Sequence, residues 1–109
     1  EAVRTDDEYG VDPHVWMDVA LCSRVADVAA RALRRLEASC RTAMAENART
    51  YRAQLAALDG WVRQSVASIP ERQRVLITAH DAFSYYARAY GLAVVGVQRP
   101  HADALAEHH

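Results

Sequence analysis

The feature that most constrains this chain is a helical pattern near its middle. Met44, Ala48, Tyr51, Leu55, Leu58, Val62, Val66 and Ile69 recur at alternating three- and four-residue spacing, and the pattern stops at Pro70. Such spacing puts apolar side chains on one stripe of an α-helix, and proline, lacking an N–H, cannot continue it. Roughly 28 residues at about 1.5 Å each make a rod on the order of 40 Å long, more than a small domain needs for packing alone. That length leaves two readings: a strut between two bodies, or a coiled-coil arm, since the spacing also fits heptads. Gly60 falls inside the pattern and marks a candidate bend.

The segments on either side of the rod decide the fold class. Residues 1–12 are polar and acidic and read as a loop, with Gly10 and Pro13 marking a turn. Asp18 then serves as N-cap for a helix from about Val19 to Leu36, whose Cys22, Ala26, Ala29, Leu33 and Leu36 form one packing stripe. Beyond the rod, Val75–Ala79 is short, β-branched and uncharged, as a buried strand should be. Asp81 as N-cap and Gly91 as C-terminal stop bracket a helix from about Ala82 to Tyr90, and Ala93–Val97 reads as a second strand. A strand–helix–strand order predicts a parallel pair and an α/β fold. Phe83, Tyr86 and Tyr90 share a helix face, which is expected to pack on that sheet. Two strands do not make a stable sheet by themselves, so further strands are expected from elsewhere.

Composition removes several function classes. With 51% hydrophobic and 25% charged residues the chain is globular rather than disordered. A formal net charge of −1 carries no electrostatic footprint for nucleic acid. All 13 basic residues are arginine, read as solvated positions scattered along helix faces. The longest apolar runs fall far short of a membrane span, and no basic region followed by an apolar stretch marks a secretion signal. Cys22 and Cys40 lie in helical patterns without CxxC or zinc-finger spacing and read as small core residues.

The candidate chemistry lies in two histidines. His80 stands where the first strand ends and the following helix begins, and open α/β sheets bind ligands at the carboxyl ends of their strands. His14, in Asp12-Pro13-His14-Val15-Trp16, occupies a similar position before an earlier helix. Asp12 and Asp18 near the first, and Asp81 beside the second, are placed to accept the other ring N–H and fix the tautomer, as metal-bound imidazoles require. A helix N-terminus also favours the neutral, coordinating imidazole. His101, His108 and His109 form a second group, read as an exposed tail with adventitious metal affinity. GxSxG, HExxH and a phosphate-cradling glycine loop are all absent, and no serine or cysteine sits in a recognisable nucleophile setting, so no enzymatic reaction is expected.

These same residues carry a family resemblance. Asp12-Pro13-His14-Val15-Trp16-Met17-Asp18 resembles the DPHVW-[LFM]-D segment of the zinc- and manganese-binding solute receptors of bacterial ABC importers. VLITAHDAFSYYARAYG at 75–91 resembles that family's second signature, TAHDAF-x-YFA-x-x-YG, which follows a long helix; Tyr51-x3-Leu55-x2-Leu58-Asp59 matches on the helix itself. The resemblance covers about residues 9 to 98. It implies two α/β lobes joined by one rigid helix, with the ion in the cleft between them, held by two ligands from each lobe.

His14 would be a ligand from the amino-terminal lobe and His80 one from the carboxy-terminal lobe. The family's upstream histidine and its last acidic ligand, far downstream of TAHDAF, have no counterpart here, and after Gln98 the pattern departs at Arg99-Pro100-His101. The chain is therefore expected to be a fragment of the two-lobed metal-receptor fold. Residues 1–38 would end the first lobe, 39–70 would be the linking helix, 71–98 would start the second lobe, and 99–109 would be a divergent tail. The resemblance implies capture of Zn²⁺, with Mn²⁺ as the alternative, in the periplasm or at an extracytoplasmic membrane anchor. It also implies delivery to the membrane permease of an ABC transporter, with neither nucleic acid nor a small organic substrate as partner. Two other readings stand beside it: a helical module that self-associates through the long helix without metal, and a fragment of a metal-dependent hydrolase with water in an open coordination position.

Overall fold

Asp18 starts the first helix as its position predicts. Its Oδ1 accepts the backbone N–H groups of Ala20 and Leu21 at 3.0 and 3.3 Å, two of the donors that every helix start leaves without a partner. Helix α1 runs Val19–Leu36, a single-turn 3-10 segment at Ala38–Cys40 follows, and α2 runs Arg41–Ala67. The computed structural model describes residues 2, 10–36 and 38–97. Residues 1 and 3–9 of the expected loop at 1–12, the tail from 99 onward and the three histidines in it lie outside the described residues.

Helix α1 folds back along α2, and Arg52 on the second donates to Asp27 on the first at 3.3 Å. Helix α2 passes through Gly60 without a break. No atom lies within 4 Å of where a Cβ at Gly60 would stand, so no close approach requires glycine there. The end of α2 is closed from outside: Arg74 reaches back, and its Nε and Nη2 donate to the carbonyls of Ile69 and Ala67 at 2.9 and 3.3 Å. The Ala67 carbonyl is one that a helix C-terminus leaves open, and Ile69 lies just beyond the cap residue Ser68.

The two apolar stripes are only partly used. Leu55, Val62 and Val66 are buried on α2, whereas Tyr51 and Leu58 are about half exposed. On α1 the stripe packs at Cys22 but leaves Leu33 and Leu36 open to solvent. One neighbouring helix covers one narrow strip, and a wide stripe needs more than one neighbour. Cys40, expected in the core, is exposed in the turn between the helices.

Strands β1 (Val75–Thr78) and β2 (Ala93–Gly96) pair in parallel, with Val75 opposite Ala93 and Thr78 opposite Gly96. Ala93 N–H to the Arg74 carbonyl and Val97 N–H to the Thr78 carbonyl, both 2.9 Å, extend the ladder at each end. The fold is α/β, as the sequence pattern predicts. Side chains alternate across the sheet: Leu76, Thr78 and Val94 are partly covered, while Val75, Ile77, Val95 and Val97 form an exposed apolar face.

Helix α3 runs Ser84–Tyr90, starting later than expected. Its N-cap residue is Phe83, with no side-chain hydrogen bond, and Asp81 is exposed rather than capping. Before the helix can begin, the chain turns sharply: the Ala82 N–H bonds the His80 carbonyl at 3.0 Å and the Ala82 side chain is buried. That turn takes Asp81 out of register with the first helical N–H groups. Gly91 ends α3 as predicted, in the left-handed conformation at φ 78°. The N–H groups of Gly91 and Leu92 both bond the Ala87 carbonyl, at 2.9 and 3.0 Å, in a Schellman-type stop.

The aromatic face of α3 turns to the helices, not to the sheet. Tyr90 is buried with Val19, Leu55, Val62 and Val66, and Tyr86, Ala89 and Leu92 pack on that cluster. The sheet expectation fails because the Tyr90 hydroxyl has better partners on the helical side. It donates to Asp59 Oδ1 on α2 at 2.8 Å and accepts the N–H of Val19, the first residue of α1, at 3.2 Å. Arg63 completes the network: its Nε bonds Asp59 Oδ2 at 3.1 Å, its Nη1 bonds the Ala89 carbonyl at 3.0 Å, and its guanidinium lies over the Tyr90 ring.

Replacing Tyr90 by Phe keeps the ring but leaves the Val19 N–H and Asp59 without their partner. The expected loss of stability is about 1–3 kcal/mol in urea denaturation; a change below about 0.5 kcal/mol would show that the hydroxyl holds nothing. Burial pushes the Tyr90 hydroxyl from 10.0 up to about 12, opposed by the Val19 N–H and reinforced by the bond to Asp59. Because the folded value is the raised one, the stabilisation from neutral Tyr90 is complete below about pH 10 and is lost as pH climbs towards 12. Stability curves of the parent and of Tyr90→Phe should therefore converge across that alkaline window.

Candidate metal centre

The loop before α1 is built around one buried carboxylate. Asp12 is 1% exposed, and its Oδ1 accepts two hydrogen bonds from the same residue, the backbone N–H of His14 at 2.9 Å and its ring Nδ1–H at 2.5 Å. Pro13 between them fixes one backbone angle, and the Val15 N–H closes the turn on the Pro13 carbonyl at 2.8 Å. His14 then leads into a 3-10 turn at Val15–Met17. The carboxylate accepts, so Nδ1 carries the proton and the lone pair of Nε2 is left for a ligand. Trp16 presents an edge to the His14 ring, with centroids 5.3 Å apart.

His80 follows the carboxyl end of β1 in the bend that precedes α3, and it is exposed. The two predicted histidines meet. Their ring centroids are 5.6 Å apart and the rings nearly perpendicular, at 87°. A zinc–nitrogen bond of about 2.0–2.1 Å puts an imidazole centre about 3.2 Å from the ion, so two imidazoles on a tetrahedral ion have centres about 5.2 Å apart. The observed separation is within half an ångström of that.

Of the three carboxylates expected to orient these rings, one does so. Asp12 holds His14; Asp18 is occupied in capping α1. Among the described residues no hydrogen bond joins Asp81 to His80. Adjacent side chains on a bend point apart, which is why proximity in sequence did not become contact. Among the described residues, no group of three or more His, Cys, Asp or Glu side chains converges as an ion site, so the donor set here is two nitrogens.

The charge balance of the loop fits a cation. Asp12 Oδ2 is buried and has no hydrogen-bond partner among the described residues, and an unsatisfied buried carboxylate oxygen is costly. A divalent ion on Nε2 of His14 would place compensating positive charge one imidazole away from it. Tyr90 was not singled out from the sequence as part of the site, yet it ties the start of α1 to the end of α3. It bonds the first residue of α1, which follows the His14 loop, and stands at the end of α3, which follows His80. The regular Phe83, Tyr86, Tyr90 spacing signals packing; nothing in it signals which partner the hydroxyl takes.

This chain matches the family model of ZnuA, the periplasmic component A of the zinc-uptake complex, over residues 1–108, which takes in the tail set apart after Gln98. It is 41% identical over 92 residues to the zinc-binding protein TroA of Treponema pallidum, an overlap of 84% of this chain and 30% of that protein. It is 40% identical over 87 residues to the manganese-binding lipoprotein MntA of Bacillus subtilis, covering 80% of this chain and 28% of the relative. Among solved structures, the periplasmic zinc-binding protein TroA of Treponema pallidum superposes with a TM-score of 0.82 at 38% identity, over 88% of this chain and 34% of the other. A crystal structure of ZnuA superposes with a TM-score of 0.83 at 27% identity, over 94% and 41%. The chain thus spans under a third of the length of these two relatives. With a match along nearly its whole length, this chain belongs to the ZnuA family.

Proposed function

We propose that His14 and His80 are two of the ligands of a transition-metal site, in a receptor that captures zinc outside the cytoplasm and hands it to the permease of an ABC importer. The observation that carries this is the convergence of two imidazoles from loops 66 positions apart, with rings 5.6 Å from each other and one tautomer held by a buried aspartate. Nitrogen donors favour zinc; manganese, a harder ion that prefers oxygen, is the second choice. The relatives' names agree with both ions, one being zinc-binding and another manganese-binding. Zinc takes four ligands, and the two beyond these imidazoles come from outside the described residues.

In this reading residues 1–38 end one lobe, 71–98 begin the other, and α2 is the strut between them. Its continuity through 27 residues supports that use, because a rod transmits the position of one loop to the other without a hinge. Capture and release involve no bond-making beyond coordination, so no turnover is involved. Closure around the ion would give the permease a form to recognise. A periplasmic or lipid-anchored setting follows the relatives, which include a manganese-binding lipoprotein.

The test is calorimetric titration with Zn²⁺ and Mn²⁺ of the chain carrying His101→Gln, His108→Gln and His109→Gln, which silences the tail. One-to-one binding, lost on His14→Ala and on His80→Ala, is the expected result. Binding that survives either substitution, or no binding at all, sinks the assignment; self-association through the exposed Tyr51, Leu58 and Trp61 face of α2 would then be the better reading. Asp12→Asn should weaken zinc about 10–100-fold, as loss of an imidazole-orienting carboxylate does. A chelator-competition assay reads this directly, and unchanged affinity would remove Asp12 from the site.

A further inference from the structure

Read along the sequence, the arginines are scattered; in the fold they are not. Six of the 13 line two adjoining clefts on the α1–α2 pair. The larger, of about 470 Å³, lies between the two helices with Arg31, Arg34, Arg49 and Arg52 around it. The smaller, of about 320 Å³, is lined by Arg31, Arg34, Arg35 and Arg41. Ala45, Ala48 and Ala53 keep the α2 surface low, so the long side chains stand around open space.

Asp27 is the one carboxylate among the described residues that lines either cleft. It is shared by Arg31 at 2.9 Å and Arg52 at 3.3 Å. Arg34 and Arg49 have no side-chain acceptor among the described residues.

Part of this clustering has a local reason. Arg34 and Arg35 face the negative end of the α1 dipole, and Arg41 Nε donates to the Arg34 carbonyl at 3.1 Å. Helix-end electrostatics does not reach Arg49 and Arg52, which sit well inside α2. Six guanidiniums around one carboxylate leave a local excess of five positive charges, in a chain whose formal net charge is −1. Like charges held this close repel one another, and an anion of high charge density relieves the repulsion. The planar guanidinium fork pairs two N–H groups with two oxygens of one phosphate, which lysine cannot do.

We propose that the α1–α2 cleft is an anion site for phosphate groups, presented either by a soluble phosphate or by the headgroup of an anionic phospholipid. Two adjoining clefts sharing Arg31 and Arg34 suit a ligand with more than one phosphoryl group, or neighbouring headgroups in a lipid surface. The proposal is independent of the histidine pair, because neither His14 nor His80 lines either cleft.

The experiment uses the full chain, free of metal and at constant ionic strength. One arm titrates inorganic pyrophosphate by calorimetry; the other sediments the chain with phosphatidylcholine vesicles that contain or lack phosphatidylglycerol. Binding in the first arm identifies a soluble phosphate, and binding in the second that requires phosphatidylglycerol identifies a headgroup. In either case Arg34→Gln with Arg49→Gln should weaken binding about tenfold or more, while the charge-matched pair Arg24→Gln with Arg72→Gln should leave it unchanged. Circular dichroism confirms that both variants are folded. Absence of binding in both arms overturns the proposal, and so does equal weakening by the two pairs, which would mean that net charge and not the cleft is read.

Discussion

The hydroxyl of Tyr90 is the point on which the rest of the arrangement hangs. It joins α3 to α2 through Asp59 and to α1 through the Val19 N–H, and Arg63 locks the same aspartate to the end of α3. Around it lies a small apolar cluster of Val19, Leu55, Val62 and Val66. So small a core makes each polar tie count for more, because buried area alone contributes little when so many apolar side chains stay at the surface. The network also fixes geometry in a way that apolar contact does not. Hydrogen bonds are directional, and these set where α1 begins relative to the end of α3.

That placement is what brings the histidines together. The His14 loop ends at Asp18 and Val19, and the His80 bend opens the segment that ends at Tyr90, so both loops lead into helices that meet at one hydroxyl. Each loop then orients its own ring differently. His14 is held by a carboxylate that would be expensive to bury without a use, since one of its oxygens has no partner among the described residues. His80 is exposed, and among the described residues no carboxylate holds its ring.

The surface reflects the same small core. One face of the two-stranded sheet and part of each helical stripe are apolar and uncovered, while the arginines gather where α1 and α2 run side by side. Both features come from the helical hairpin. A pair of helices buries one strip of each and brings side chains from distant positions, such as Arg31 and Arg49, around a common groove.

Much of this chain was determined locally and was therefore legible in its residues. Asp18 as a cap, Pro70 beyond the long helix, Gly91 at positive φ and the parallel strand–helix–strand unit all depend on contacts within a few positions or on alternating polarity, which a one-dimensional pattern contains. His14 and His80 were legible as candidates for the same reason, each by its place before a helix and within a recognisable signature. Only the tertiary structure decided that the two rings meet, that Asp12 and not Asp18 or Asp81 orients one of them, that α3 starts late because Ala82 is buried in a turn, and that Tyr90 faces the helices rather than the sheet. The Asp12 bond and the Ala82 turn are short-range but are selected by burial, while the meeting of the rings and the partners of Tyr90 depend on groups far away along the chain. Those last choices are made between elements tens of residues apart, where spacing along the chain carries no distance information.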